Sequence, residues 1–217
     1  MSDPEVAALK TLEELVGFKK PQPCAVEPLR DVKRGEPDDP KILFCLDTMG
    51  GSLEDGFLHG CEKSDSYRFH HWHLINSFVY FSHHLVTIPP PGWISAGHKH
   101  GVKVLGTFAV ESGPGAKVLS KIRKANLVSV VASQLAHIAA SCKFDGWLIN
   151  IKSGQGFWPL PLGVPQGRNH GNSPLCARLL GHLARQFAAG RHAGLAERAQ
   201  REEHVFLRPL RWHLPQI

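Results

Sequence analysis

Four apolar runs of strand length divide the first 151 residues of this chain at intervals that a parallel sheet requires. The runs span residues 42–46, 78–81, 102–110 and 147–151, and their first residues lie 36, 24 and 45 positions apart. Successive parallel strands need a crossover of a dozen or more residues, usually a helix. Near-continuous apolar strands are typical of sheets that are covered on both faces. The spacing therefore predicts an α/β fold with a parallel sheet.

Helical periodicity is clearest between the third and fourth runs. Five apolar residues at helical spacing share one predicted face: Leu127, Val130, Val131, Leu135 and Ile138. A second, short helical stretch covers residues 12–16, and the residues after it, up to position 40, are rich in proline and charge. We therefore expect residues 1–40 to be a lead-in segment outside the core, and residues 41–152 to form the folded unit.

The composition changes abruptly after residue 152. Residues 1–152 hold 17 basic and 16 acidic side chains, whereas residues 153–217 hold eight arginines, no lysine and three glutamates. We expect residues 153–217 to be a poorly ordered tail, with at most an amphipathic helix over residues 178–204 that Gly181, Gly190 and Gly194 interrupt. No nucleic-acid-binding motif accompanies the arginines, so a nucleic-acid partner is not expected.

Other features of the sequence exclude further classes of protein. No run of eighteen apolar residues predicts a membrane span, and the acidic N-terminus does not resemble a secretory signal. Five cysteines without a CxxC pair argue against a disulfide framework or a cysteine zinc site. The histidines at 70–73, 83–84 and 98–100 contain no HExxH pattern, and adjacent histidines in a strand face opposite sides. We expect no metal or cofactor, no membrane partner, and a cytosolic location.

Polar side chains lie at the carboxyl end of each of the four predicted strands. They are Asp47 after the first strand, His83 and His84 after the second, Glu111 after the third and Asn150 in the last. In (β/α) barrels the functional groups sit at the carboxyl ends of the strands. Asp, Ser and Asn also end strands simply as turn formers. From the residues alone, both interpretations stay open.

Six sequence segments, in this order along the chain, resemble the sequences of a known family. They span residues 47–51, 67–72, 78–84, 86–93, 101–108 and 144–151. Together they resemble the cytosolic endo-β-N-acetylglucosaminidases of glycoside hydrolase family 85 over residues 42–151. The resemblance implies a (β/α)8 TIM-type barrel, of which this chain would contain about the first four βα units. It also implies hydrolysis of the N,N′-diacetylchitobiose core of N-glycans or glycoproteins, by substrate-assisted catalysis.

The resemblance carries over to single residues. An asparagine at the end of the fourth strand orients the 2-acetamido group of the substrate, and Asn150 matches it. The acid/base glutamate stands two residues later, where this chain has Lys152. A lysine has a reference pKa of about 10.4 and is a poor proton donor at neutral pH, and losing a general acid typically costs roughly 10²–10⁴-fold in rate. Asp47, His83, Trp93 and Glu111 are predicted to bind substrate in the cleft.

Three interpretations follow from the sequence. The first is membership of the endoglycosidase family, with an inactive chain because Lys152 replaces the acid/base residue and the barrel is incomplete. The second is a non-catalytic isoform or a glycan-binding pseudoenzyme. The third, less favoured, is a small α/β interaction module with an arginine-rich tail.

Overall fold

The computed structural model of the protein describes residues 8–19, 25–33, 35–36, 40–47, 68–111, 114–151 and 174–188. The strands in this part of the chain are β1 (Leu43–Asp47), β2 (Ser77–Phe81), β3 (Val86–Thr87), β4 (Lys103–Val110) and β5 (Gly146–Ile151). The α-helices are α1 (Leu12–Val16), α2 (Pro91–Lys99), α3 (Pro114–Lys124), α4 (Val128–Cys142) and α5 (Pro174–Ala188). A 3₁₀ turn covers Trp72–Leu74.

The four strands that the spacing predicts are parallel to one another. β2 pairs with β1 and with β4, β4 pairs with β5, and all three pairings are parallel. Each of the four predicted strands agrees with an observed strand to within one residue at either end. The fifth strand, β3, was not predicted, and it pairs antiparallel with β4. Two residues are too few to produce a recognisable alternating pattern, so β3 leaves no signal in the sequence.

The two faces of the sheet carry different clusters. Helices cover one face, where Phe78, Val104 and Trp147 join the large core, and the Trp147 indole donates a hydrogen bond to the Leu135 carbonyl of α4 over 2.9 Å. The opposite face carries a small cluster: Val79, Phe81, Leu105 and Leu148, with Leu43 and Cys45 partly buried against them. This inner face, as it is called below, follows from the alternation of side chains along each strand.

The predicted helix between the last two strands is α4, although one residue of its predicted face is wrong. Val131, Leu135 and Ile138 are fully buried, as expected, whereas Val130 is 39% exposed. Successive residues of an α-helix are about 100° apart, so Val130 turns away from the face that Val131 buries. Small residues at positions 132, 136 and 139 complete that buried face.

Leu9, Leu12 and Leu15 are buried in the core, so this part of the predicted lead-in segment does not lie outside it. α1 is the helix predicted at 12–16, and a capping box between Thr11 and Glu14 closes its first turn. Leu12 and Leu15 of α1 are buried in the large cluster. Before the helix, Leu9 is also buried and exchanges two backbone hydrogen bonds with Val86, of 2.9 and 3.0 Å.

Part of the predicted tail is also ordered. α5 runs through Gly181 without interruption, and Leu179 and Leu183 are buried in the large cluster on α4. A glycine costs a helix about 1 kcal/mol relative to alanine, whereas burying one leucine contributes about 1.5–3 kcal/mol. The i, i+4 leucine pair therefore outweighs the glycine. Gly190 and Gly194 lie outside the described residues.

No single helix in the described residues has the length and apolar character needed to cross a membrane. Lys117–Lys124 of α3 and α4 meet the requirement only together, and they are bent by 112° at their junction.

Candidate functional site

The carboxyl ends of the parallel strands bring several of the predicted polar residues to one edge of the sheet. Asp47 is the last residue of β1, Glu111 directly follows β4, and His83 lies two residues after β2. Because β2 pairs with both β1 and β4, His83 emerges between the other two side chains. Asp47 shares the inner face of the sheet with Leu43 and Cys45 by alternation.

The imidazole of His83 bridges the two carboxylates. Its Nδ1 lies 2.9 Å from Oε2 of Glu111, and its Nε2 lies 3.5 Å from Oδ2 of Asp47. The side chains of His83 and Asp47 are about half exposed, at 46% and 48%, and that of Glu111 is 28% exposed. We call these three residues the edge triad. It presents two acidic acceptors and a ring that can donate hydrogen bonds, in a place that solvent and ligands can reach.

Hydrogen bonds fix the loop that carries His83. The Ser82 and Thr87 hydroxyls are 2.6 Å apart and buried, and the Ala109 amide donates to the Leu85 carbonyl over 3.0 Å. The His83 ring lies perpendicular to the Phe81 ring, with 5.3 Å between centroids. His83 and His84 lie in a bend after β2, so the expectation that they alternate across a strand is wrong. The sequence does not predict the buried Ser82–Thr87 contact, because serine and threonine often occur in turns without contacting each other.

Asn150 lies on the inner face of β5, two residues beyond the buried Leu148, and it is half-buried. It stands opposite Ala109 of β4 in the parallel register. This register places the Asn150 position near the carboxyl edge, one strand further along the sheet than Glu111. Lys152 lies outside the described residues, so the predicted replacement of the acid/base glutamate is not placed by the structure.

Trp93 does not lie with the edge triad. It is in the first turn of α2, and its ring stacks on Phe78, with 5.1 Å between centroids and 13° between planes. It also lies 6.2 Å from the Trp72 ring, between centroids. Phe78 belongs to the face of β2 that the helices cover. The structure therefore packs Trp93 against Phe78 and does not bring it to the edge triad, so its role in substrate binding stays a prediction.

The described residues contain no group of three or more His, Cys, Asp or Glu side chains arranged to hold a metal ion. Behind Asp47 on β1, burial and then the nearby Asp47 carboxylate raise the pKa of the Cys45 thiol to about 12. A thiol that stays protonated is a poor nucleophile. The chemistry that the edge triad offers is therefore hydrogen bonding and proton exchange, without covalent attack by Cys45.

Comparisons with known proteins agree with the family resemblance. The family model for glycosyl hydrolase family 85 matches residues 51–186. The mouse cytosolic endo-beta-N-acetylglucosaminidase is 44% identical over 158 residues, which cover 67% of this chain and 21% of the mouse protein. Cytosolic endo-beta-N-acetylglucosaminidase 2 of Arabidopsis thaliana is 45% identical over 118 residues, 54% of this chain and 17% of that protein. The chain thus spans about a fifth of the length of these curated relatives.

A solved structure has the same fold. The glycoside hydrolase domain of Endo-D from Streptococcus pneumoniae R6 superposes with a TM-score of 0.63 at 19% sequence identity, over 89% of this chain and 31% of that one. The family match continues to residue 186 and so includes most of α5. The resemblance therefore does not end at residue 151, as the change in composition suggests.

Proposed function

The chain belongs to glycosyl hydrolase family 85, and we propose that its edge triad, together with Asn150, binds the N,N′-diacetylchitobiose core of N-glycans without cleaving it. In this proposal β1, β2, β4 and β5 correspond to the first four strands of the family's eight-stranded barrel. The location is the cytosol, the compartment in the names of the curated relatives. One observation carries the proposal: the bridge that His83 makes between Asp47 and Glu111.

The side chains of the edge triad suit a sugar. Hydroxyl groups donate well to carboxylates, and a hydrogen bond to a charged group is worth about 1.5–3 kcal/mol, more than one between neutral groups. The partly exposed carboxylates of Asp47 and Glu111 can each accept such bonds. The half-buried Asn150 amide offers a donor and an acceptor for an acetamido group. This combination matches a sugar that carries both hydroxyls and an N-acetyl group.

The absence of hydrolysis is proposed from Lys152. Substrate-assisted cleavage needs an acid to protonate the leaving oxygen, and the family resemblance assigns that task to a glutamate two residues after the asparagine. A lysine at that position is a weak acid near neutral pH, and its positive charge opposes the cation that develops on the oxazolinium intermediate. We therefore expect binding to remain while the rate of hydrolysis falls by at least about 10²-fold relative to an enzyme that carries the glutamate.

Binding is tested with N,N′-diacetylchitobiose by ligand-observed NMR on the purified chain. Asp47→Asn removes one charged acceptor and should weaken binding about tenfold or more, the equivalent of one charge-assisted hydrogen bond. Asp31→Asn is the matched control, since Asp31 is exposed and its neighbours Arg30 and Val32 contact His98 and Gly101, at the end of the sheet where β4 begins. No saturable binding by the unmodified chain, or equal losses in both variants, would contradict the proposed site.

Hydrolysis is tested on a high-mannose glycopeptide, with released glycan detected by mass spectrometry. We expect no release from this chain. The matching experiment replaces, in the mouse relative, the acid/base glutamate that the family resemblance implies two residues after the asparagine by lysine, and its release rate should fall by at least about 10²-fold. Release by this chain at a rate near that of the mouse relative would refute the proposal that it does not cleave glycans.

A further inference from the structure

We propose that Ser82 is a positioning residue, whose hydroxyl holds the bend that carries His83 in the place that glycan binding requires. The part about binding rests on the proposed function. The part about positioning rests on the contacts of Ser82 and Thr87, and it can be tested without a glycan.

The Ser82 side chain makes contacts across the residue that it positions. Ser82 directly follows β2 and is 2% exposed. Its Oγ lies 2.6 Å from Oγ1 of Thr87 and accepts a hydrogen bond from the His84 amide over 3.4 Å. A serine hydroxyl has one proton to donate and two lone pairs, so it can make both contacts at once. The two contacts therefore tie the chain on either side of His83 to one buried oxygen.

Thr87 is a fixed anchor for this hydroxyl, because β3 is held along both of its edges. On one edge, Val86 and Thr87 pair with Phe108 and Thr107 of β4. On the other edge, Val86 exchanges two backbone hydrogen bonds with Leu9, of 2.9 and 3.0 Å. Thr87 itself is only 3% exposed. The position of the Thr87 hydroxyl is thus set by the sheet and the N-terminal segment, outside the bend.

The pairing of β4 places the bend at the carboxyl edge of the sheet. β2 pairs with residues 103–105 of β4, and β5 occupies the opposite edge of β4 over residues 105–110. β3 therefore continues along the edge of β4 that β2 uses up to Leu105. A Cβ added at Gly106 would lie 2.7 Å from the Thr87 carbonyl oxygen, so this close approach requires the glycine. The chain between β2 and β3 must then turn beside the edge triad.

Loss of the Ser82 hydroxyl should change the bend more than the sheet. Ser82→Ala removes both contacts and takes from the buried Thr87 hydroxyl its partner in the bend. A buried hydroxyl without a partner is unfavourable, so the bend should open to admit water. The His83 ring would then leave the Phe81 ring, to which it lies perpendicular with 5.3 Å between centroids.

The positioning role is tested without glycan, at a single pH of 7, by the NOEs between the ring protons of His83 and Phe81. The unmodified chain should show these NOEs, because the two rings are in contact. Ser82→Ala should lose them, whereas Thr87→Ser, which keeps a hydroxyl, should retain them. Ser77→Ala is the matched control, since Ser77 is a buried serine at the amino end of β2. NOEs that persist in Ser82→Ala, or that Ser77→Ala loses equally, would overturn the positioning role.

Amide hydrogen exchange in the unmodified chain gives a second test, which needs no variant to fold. The His84 amide donates to the Ser82 hydroxyl, so its proton should exchange at least about tenfold more slowly than that of an unstructured amide. The Ala109 amide donates to the Leu85 carbonyl of the same bend over 3.0 Å, and it is the internal reference for a protected amide. Exchange of the His84 amide at the unstructured rate would overturn the contact on which the positioning role depends.

The effect on binding is measured as the affinity for N,N′-diacetylchitobiose. Ser82→Ala should bind about tenfold more weakly than the unmodified chain, because a displaced His83 loses about one hydrogen bond to the sugar. Thr87→Ser and Ser77→Ala should bind like the unmodified chain. Equal affinities of Ser82→Ala and the unmodified chain would overturn the link between the bend and binding. No binding by the unmodified chain would overturn the proposed function and that link together, and the NOEs and the amide exchange then still decide whether Ser82 positions His83.

Discussion

Replacing Leu15 by alanine tests whether the N-terminal segment is part of the folding core. Leu15 is fully buried in the large cluster, and α1, which carries it, packs against α4. Two further contacts join α1 to its surroundings. The Gln134 side chain donates to the Val16 carbonyl over 2.6 Å, and the Lys121 ammonium lies 3.0 Å from the Glu13 carboxylate. A helix of five residues is not stable by itself, so packing must hold it in place.

The expected magnitude follows from the burial of the side chain. Leucine-to-alanine changes at buried sites cost about 2–5 kcal/mol, because they lose both transfer free energy and packing around the cavity. A cost of about 3 kcal/mol corresponds to a fall in Tm of roughly 6–12 °C for a chain of this size. The change should act on the whole cooperative unit, because the cluster around Leu15 includes residues of the sheet and of α4.

The assay is urea unfolding followed by tryptophan fluorescence, with Val16→Ala as the matched control. Val16 is the next residue of the same helix and is 38% exposed, so its replacement should change the free energy of unfolding by no more than about 0.5 kcal/mol. If Leu15→Ala is as mild as Val16→Ala, the segment does not belong to the core, and the packing argument is refuted.

Three other residues give independent predictions. Cys45 should react with iodoacetamide at pH 8 at least about tenfold more slowly in the folded chain than in urea, because burial raises its pKa to about 12. As the pH rises, the Cys45 thiol loses its proton in the unfolded chain before it does so in the folded chain. Its contribution to the free energy of unfolding should therefore fall above about pH 9. Gly97→Ala should lower stability by about 1–3 kcal/mol in urea melts, since the new methyl would overlap a β4 valine. Gly92→Ala, where the added carbon meets nothing within 4 Å, should not destabilise, and equal losses would contradict this packing. Asp145→Asn should lower the free energy of unfolding by about 3 kcal/mol or more, because the Asp145 carboxylate, only 10% exposed, lies 2.8 Å from Nε2 of His98. A loss below about 0.5 kcal/mol in thermal melting would show that the pair contributes little to stability.

The sequence predicts the strands well for a physical reason. Each of the four parallel strands contains a run of apolar residues. β2, β4 and β5 are buried almost throughout and β1 is partly buried, so few polar positions occur within them. Their bounds therefore stand out in the sequence and agree with the structure to within one residue. The short strand β3 and the bend that carries His83 have no such signature. Their conformations depend on hydrogen bonds to β4 and to Leu9, which are distant in the chain.

The candidate site could be predicted only in part from the sequence. Asp47, His83 and Glu111 could be selected because polar residues that follow parallel strands must meet at one edge of the sheet. Their mutual contacts could not be selected, because these require the strand order that places β2 between β1 and β4. Trp93 shows the opposite case. An aromatic residue suits both a sugar cleft and a core, and only the structure shows that the Trp93 ring stacks on Phe78.

Local pattern by itself determined the fold class, the four parallel strands, the family and the residue types available at the carboxyl edge. Tertiary structure alone decided that α1 and α5 are parts of the core, that Trp93 stacks on Phe78 and that one imidazole joins two carboxylates. The reason is the range of the interactions. Strand and helix patterns depend on residues that are close in the sequence, whereas burial and side-chain contacts depend on residues that only the folded chain brings together.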